Sequence, residues 1–79
     1  MNNYYVIEIQ TNADGTSGVL PYGFATSDEA ESNYLRIRNA ALQSSVLIHT
    51  VLWIDNKGHT FEKKSYTHPQ PEPEQGGAE

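Results

Sequence analysis

Four short stretches of the chain are rich in β-branched and aromatic residues, which is typical of β-strands. Residues 4–11 read YYVIEIQT, and residues 17–25 read SGVLPYGFA. Residues 46–54, VLIHTVLWI, contain no charge, glycine or proline, and residues 59–66, HTFEKKSY, are more polar. The sequence therefore predicts two strands before residue 26 and two more after residue 45.

Turn signals join these stretches into two hairpins. Residues 12–15, NADG, contain the Asp-Gly pair that favours a tight turn, and residues 55–58, DNKG, place Asn and Gly where positive φ is tolerated. The apolar stretch 46–54 is predicted to lie in the middle of the sheet, because both of its faces carry mostly apolar side chains.

Two of the predicted strands have features of sheet edges. Pro21 cannot donate a backbone hydrogen bond and Gly23 weakens the run, so residues 17–25 are predicted to form an irregular edge strand or an extended arm. The charges of residues 59–66 also suit an edge, because they discourage pairing with other chains.

A helix is predicted between the hairpins, from the stretch Thr26–Glu29 to about Ser44. Thr26 and Glu29 fit a capping box, with Ser27 as a rival N-cap. Apolar residues then recur at helical spacing and predict one buried stripe: Ala30, Tyr34, Ile37 and Ala41.

The element order β-β-α-β-β predicts an α+β fold, a four-stranded antiparallel sheet with one helix packed on one face. Residues 1–67 are expected to form this single domain. Residues 68–79, HPQPEPEQGGAE, alternate proline with Glu and Gln and cannot bury apolar area, so they are predicted to be a disordered tail.

One helix covers only one face of a sheet whose strands are apolar on both faces. Tyr5, Ile7 and Ile9 are the better core face of the first strand. The face left open is then expected to present five side chains as an interface: Tyr4, Val6, Leu47, Val51 and Trp53. An exposed apolar patch of this kind favours a homodimer joined sheet to sheet, although the tail or the arm 17–25 could instead fold back over it.

Composition limits the classes of partner. The net charge of −5 argues against nucleic acid, and the absence of cysteine leaves neither a disulfide framework nor a thiolate metal site. The first ten residues lack the features of a signal peptide, and no apolar run approaches the length of a membrane helix, so a cytoplasmic protein is expected.

No motif in the sequence predicts catalysis, a metal site or a cofactor. His49 lies among apolar residues and is predicted to be structural, since no nucleophile or acid partner can be assigned to it. The histidines lack metal-ligand spacing, and the glycines form no phosphate loop. If a small anion binds, Arg36 or Arg38 with Tyr34 or Trp53 at an oligomer seam is the predicted site.

Three segments carry a resemblance to a known group: the opening YYVIEIQTNADGT, the DEAES helix start and the late SSV…IH…S-Y-x-H stretch. They are similar to small uncharacterised proteins of phage and prophage genomes, over about residues 4–68. The resemblance implies a phage context inside a host cell and action by binding, including inhibition of host defence components. It carries over no active-site residue.

Two functions are consistent with these features. The first is a non-enzymatic protein that binds a host or phage protein through its apolar sheet face. The alternative is a homo-oligomer that sequesters a small nucleotide-like ligand between protomers.

Overall fold

The computed structural model describes residues 2–69, which form four strands and one helix. The elements, in chain order, are β1 (Tyr4–Thr11), β2 (Ser17–Phe24), α1 (Ser27–Leu42), β3 (Ile48–Asp55) and β4 (Thr60–Thr67). The predicted α+β architecture is confirmed: the sheet is antiparallel throughout, its order is β2-β1-β3-β4, and α1 packs on one face.

Both turns close where glycine adopts positive φ. Gly15 has φ of +91° between β1 and β2, and Gly58 has φ of +87° between β3 and β4. The Asp55 side chain accepts hydrogen bonds from the backbone N–H groups of Lys57 and His59, both at 2.9 Å, so the second turn is held by its own first residue.

Thr26 is the N-cap of α1 and makes one of the two hydrogen bonds of the predicted capping box. Thr26 has extended backbone geometry, and its hydroxyl oxygen accepts from the Glu29 backbone N–H at 3.2 Å while also contacting the Glu29 carboxylate at 3.2 Å. The helix ends at Leu42, two residues before the predicted end, because the N–H of the C-cap Gln43 turns back to the carbonyls of Ala40 and Ala41.

The core lies between α1 and the central strands. The predicted stripe of Ala30, Tyr34, Ile37 and Ala41 is buried, and it packs against Val6, Val51 and Trp53. The prediction of which sheet face the helix covers is therefore wrong. Side chains at even positions of β1 and odd positions of β3 lie under the helix, whereas Tyr5, Ile7 and Ile9 lie on the opposite face.

Pro21 blunts the outer edge of β2. The Asn12 N–H donates to the Thr16 carbonyl, and hydrogen-bonded pairs alternate along an antiparallel ladder. By this alternation, the pair Ile7–Pro21 is one that is not joined by backbone hydrogen bonds, so the ring nitrogen of Pro21 faces away from β1. An approaching strand would meet a position without a donor there.

Candidate functional site

The face of the sheet opposite α1, here called the open face, is apolar at its centre. The register places four rows of side chains across the four strands in the order β2, β1, β3, β4. These rows are Ser17–Thr11–Ile48–Thr67, Val19–Ile9–Thr50–Ser65, Pro21–Ile7–Leu52–Lys63 and Gly23–Tyr5–Ile54–Thr60.

Tyr5, Ile7, Ile9, Leu52 and Ile54 are each only partly buried, because no described element packs over them. Lys63, at the β4 rim, is the single charged side chain among those four rows. The open face thus offers a continuous apolar surface on β1 and β3 with a polar rim on β4.

The five residues predicted to form the interface do not form this surface. Val6 and Val51 are fully buried under α1, and Trp53 is 8 % exposed. Tyr4 is half-buried against the same core, where its ring centroid lies 6.1 Å from that of Phe61. Leu47 precedes β3, and its carbonyl accepts from the His68 N–H at 2.7 Å.

A partly buried polar network, centred on His49, crosses the helix-covered face. His49, 5 % exposed, lies with Nε2 2.7 Å from Glu8 Oε1 and Nδ1 2.9 Å from Ser44 Oγ. Glu8 Oε2 accepts from the Tyr22 hydroxyl at 3.0 Å, and Gln10 Nε2 donates to Oε1 at 3.3 Å. The network joins β1, β2, β3 and the connection between α1 and β3.

Hydrogen bonds shift the pKa values of the Glu8 carboxyl group and the Tyr22 hydroxyl group in this network. Burial alone raises the pKa of Glu8, but the bonds from His49, Tyr22 and Gln10 outweigh it and hold the Glu8 pKa below its ordinary value. The bond to Glu8 is also the main cause of a raised pKa at Tyr22. Glu8 therefore stays a carboxylate inside the fold, where three donors compensate its lost hydration.

Ser44, His49 and Glu8 include the residue types of a catalytic triad, but their surroundings do not favour acyl transfer. An oxyanion beside Ser44 needs free donors, whereas the N–H groups of Gln43 and Ser44 are bonded to the carbonyls of Ala40 and Ala41. The C-terminal end of α1 also carries partial negative charge. The hydrogen bonds of His49 to Ser44 and Glu8 instead join the residues after α1 to the sheet, and a structural role for His49 stays a prediction.

The predicted anion-binding residues are only partly brought together. The Arg38 guanidinium lies 5.5 Å from the Tyr34 ring centroid, and the rings of Tyr34 and Trp53 are 6.0 Å apart. Tyr34 is 1 % exposed, however, so its ring belongs to the core of one protomer. Arg36 is exposed elsewhere on the helix and donates to Asn33 at 2.8 Å.

A second surface feature, here called the α1–β4 groove, lies on the helix side of the sheet. It is a hollow of about 340 Å³ lined by Leu35, Arg38, Asn39, Leu42, Lys64 and Tyr66. Leu35 and Leu42 are 43 % and 52 % exposed. The helix residues follow i, i+3, i+4, i+7 spacing, so they form a second stripe beside the buried one.

Residues 2–69 contain neither a metal-binding cluster nor a membrane-spanning helix. No group of three His, Asp or Glu side chains there is placed to hold a metal ion. The helix of the described chain is too short and too polar to cross a membrane.

No family model, no curated protein and no solved structure matches this chain. The resemblance to phage proteins therefore stays a prediction.

Sequence reasoning missed the Glu8–His49 pair and the true composition of the open face. One signal was present: Glu8 and His49 interrupt otherwise apolar runs, and both fall on the strand faces that became the core. Recognising them as partners requires the pairing of β1 with β3, which places Gln10 opposite His49 and Glu8 opposite Val51. That register becomes known only with the fold.

Proposed function

We propose that this protein acts by binding rather than by catalysis, and that the open face is where a second copy of the chain docks to make a homodimer. The single observation that carries this proposal is the set of large apolar side chains on β1 and β3 with no described element over them: Tyr5, Ile7, Ile9, Leu52 and Ile54.

The size of the open face supports a second copy as the occupant. Four strands about 4.8 Å apart, each of eight residues at about 3.3 Å per residue, make a face of roughly 500 Å². Two such faces packed together bury roughly 1,000 Å², which is near the lower limit for a specific protein interface. We therefore expect a dimer that dissociates on dilution.

The other surfaces of the sheet are less suited to self-association. The helix covers the opposite face, Pro21 removes a donor from the β2 edge, and lysines 63 and 64 lie on the β4 edge. Two apolar faces related by a two-fold axis also match each other in chemistry without any charge pairing.

The biological setting follows from the resemblance to phage proteins. In that setting the protein would act in the host cytoplasm, with a host or phage protein as target and inhibition of a defence component as one outcome. Sequestration of a nucleotide-like ligand is less supported, because Tyr34 lies in the core and not at a seam between protomers.

Sedimentation equilibrium across low-micromolar to submillimolar protein concentrations tests the dimer. The variant Ile7→Thr/Leu52→Thr places threonine, a β-branched residue that favours strands, at both positions. It removes apolar area from the centre of the open face, so it is expected to shift the protein to monomer. Leu35→Thr, on the helix and away from the open face, is the matched control and should leave the dimer intact.

A wild-type chain that remains monomeric at every concentration would overturn the second copy as occupant. If Ile7→Thr/Leu52→Thr then abolishes capture of a target protein without unfolding the domain, the open face would instead be a binding surface for that target.

A further inference from the structure

The α1–β4 groove is separate from the open face, and its chemistry differs from it. Arg38 and Lys64 bring two positive charges to its walls, in a chain whose net charge is −5. Arg38 Nη1 lies 3.7 Å from Glu62 Oε1, and both side chains are substantially exposed. Exposed pairs of this kind are weak and exchange readily with other carboxylates.

The path of the chain after β4 leads to the groove. The His68 backbone N–H donates to the Leu47 carbonyl at 2.7 Å, and the His68 ring nitrogen Nε2 donates to the Ala41 carbonyl at 2.8 Å. The His68 ring also lies over Tyr66, with centroids 6.3 Å apart. The chain is therefore fixed beside Leu42 and Tyr66, which line one end of the groove, just before residues 70–79.

The sequence of residues 70–79, QPEPEQGGAE, is complementary to the groove in charge. It contains three glutamates and no basic residue. It also supplies Pro71 and Pro73, and proline-rich segments pack well against aromatic and aliphatic walls because little conformational entropy is lost on docking.

We propose that residues 70–79 of this chain dock in the α1–β4 groove, with Glu72 and Glu74 beside Lys64 and Arg38. The reach is sufficient: at about 3.1 Å per residue, Glu72 and Glu74 lie at most about 12 and 19 Å from His68. The groove runs from Leu42 to Leu35, seven helical residues, or about 10 Å along the axis. The acidic segment thereby covers two exposed leucines that the fold leaves beside basic side chains.

Docking of this kind is expected to be partial and salt-dependent. Its ion pairs lie near the surface, where salt at about 0.15 M screens charges beyond about 8 Å. The short tether compensates, because it presents the glutamates at an effective concentration of about millimolar.

Paramagnetic relaxation by a single spin label tests the proposal on the full chain. The sequence contains no cysteine, so Gln75→Cys provides a unique attachment site. At low salt the label should broaden the methyl resonances of Leu35 and Leu42 and leave those of Val19, at the far β2 edge, sharp. Added salt should reduce the broadening.

The matched variants are Lys64→Gln and Lys63→Gln, neighbours on β4 that face the groove and the open face respectively. Lys64→Gln should reduce the broadening at Leu35 and Leu42 about two- to fivefold, the effect of losing one exposed ion pair, whereas Lys63→Gln should not. Glu72→Gln/Glu74→Gln in the labelled chain should act like Lys64→Gln.

Equal broadening in all of these variants would overturn the proposal. A mixture of spin-labelled chains with isotope-labelled chains that carry no spin label tests docking between molecules. Equal broadening of Leu35 and Leu42 in this mixture would assign the groove to another copy's acidic segment, and it too would overturn docking within one chain. Sedimentation of Lys64→Gln keeps the outcome distinct from that of the open-face dimer, because Lys64 does not lie on that face.

Discussion

His49 Nε2 lies 2.7 Å from Glu8 Oε1, although 41 positions separate the two residues along the chain. The contact joins β1 to β3 under the helix, where the side chains of His49 and Glu8 are 6 % and 12 % exposed. Because three donors reach the Glu8 carboxylate, a charged group is accommodated in a domain with few buried large side chains.

Replacement of His49 by leucine is expected to lower the free energy of unfolding by about 1–3 kcal/mol, because Glu8 loses its shortest hydrogen bond while remaining buried. Urea denaturation followed by circular dichroism measures the change. The double variant Glu8→Leu/His49→Leu should cost less than the sum of the two single changes, because the pair is lost together. Glu31→Gln, at an exposed helix position, is the control and should change stability by less than about 0.5 kcal/mol.

The stability of the fold is expected to fall in acid through Glu8. Its pKa is lower in the folded state than in the unfolded chain, so the unfolded state binds the proton more tightly. The contribution of Glu8 is therefore present above its ordinary pKa and is lost as the pH falls through its folded pKa.

The difference in unfolding free energy between wild type and Glu8→Gln, measured from pH 6 downward, isolates this contribution. Asp14 and Asp55 also have lowered pKa values, from hydrogen bonds by Thr16 and by the backbone of His59 and Lys57, but they are present in both proteins and cancel. A difference that stays constant with pH would contradict the role of Glu8.

Val51→Ala tests which sheet face is the core. Val51 is fully buried beneath α1, so removing two methyl groups is expected to cost about 2 kcal/mol in transfer and cavity terms. Val19→Ala, at a position that is 59 % exposed on β2, should cost less than about 0.5 kcal/mol. Thermal or urea unfolding measures both, and similar costs for the two variants would contradict the assigned face.

Gly58→Ala is expected to destabilise the β3–β4 turn by about 1–2 kcal/mol, because φ of +87° brings an alanine Cβ close to the following carbonyl. Gly18→Ala is the matched control: a Cβ at either glycine meets no atom within 4 Å, but Gly18 does not have positive φ. Chemical denaturation of the two variants separates backbone strain from steric contact, and equal effects would argue against strain.

Local signals were enough to predict the elements. The Asp14-Gly15 and Asn56-to-Gly58 turns, the N-cap at Thr26 and the helical stripe each depend on residues a few positions apart, and the structure contains all of them. The charges and the proline also placed β4 and β2 at the edges of the sheet.

Which face of β1 is buried depends on residues that are distant in the chain, so the sequence alone did not predict it. An isolated carboxylate is costly to bury, so Glu8 by itself gives no sign that its face of β1 lies in the core. That cost is offset by His49 and Tyr22, which come from two other strands. The sequence instead favours Tyr5, Ile7 and Ile9 as the core face, so the predicted interface lies on the wrong side of the sheet. The predicted tail lies outside the described residues beyond Pro69, and His68, its first residue, is hydrogen-bonded to the fold.

Trp53 is the chain's single tryptophan, and its indole packs between Tyr34 of the helix and Phe61 of β4, at 6.0 and 5.0 Å between ring centroids. Its Nε1 is buried without a hydrogen-bond partner in the described chain. The intrinsic fluorescence of Trp53 therefore reports on the helix-covered side of the sheet. Its emission should redden when the helix lifts away, yet stay unchanged when molecules associate across the other side, which allows assembly and unfolding to be followed separately without a dye.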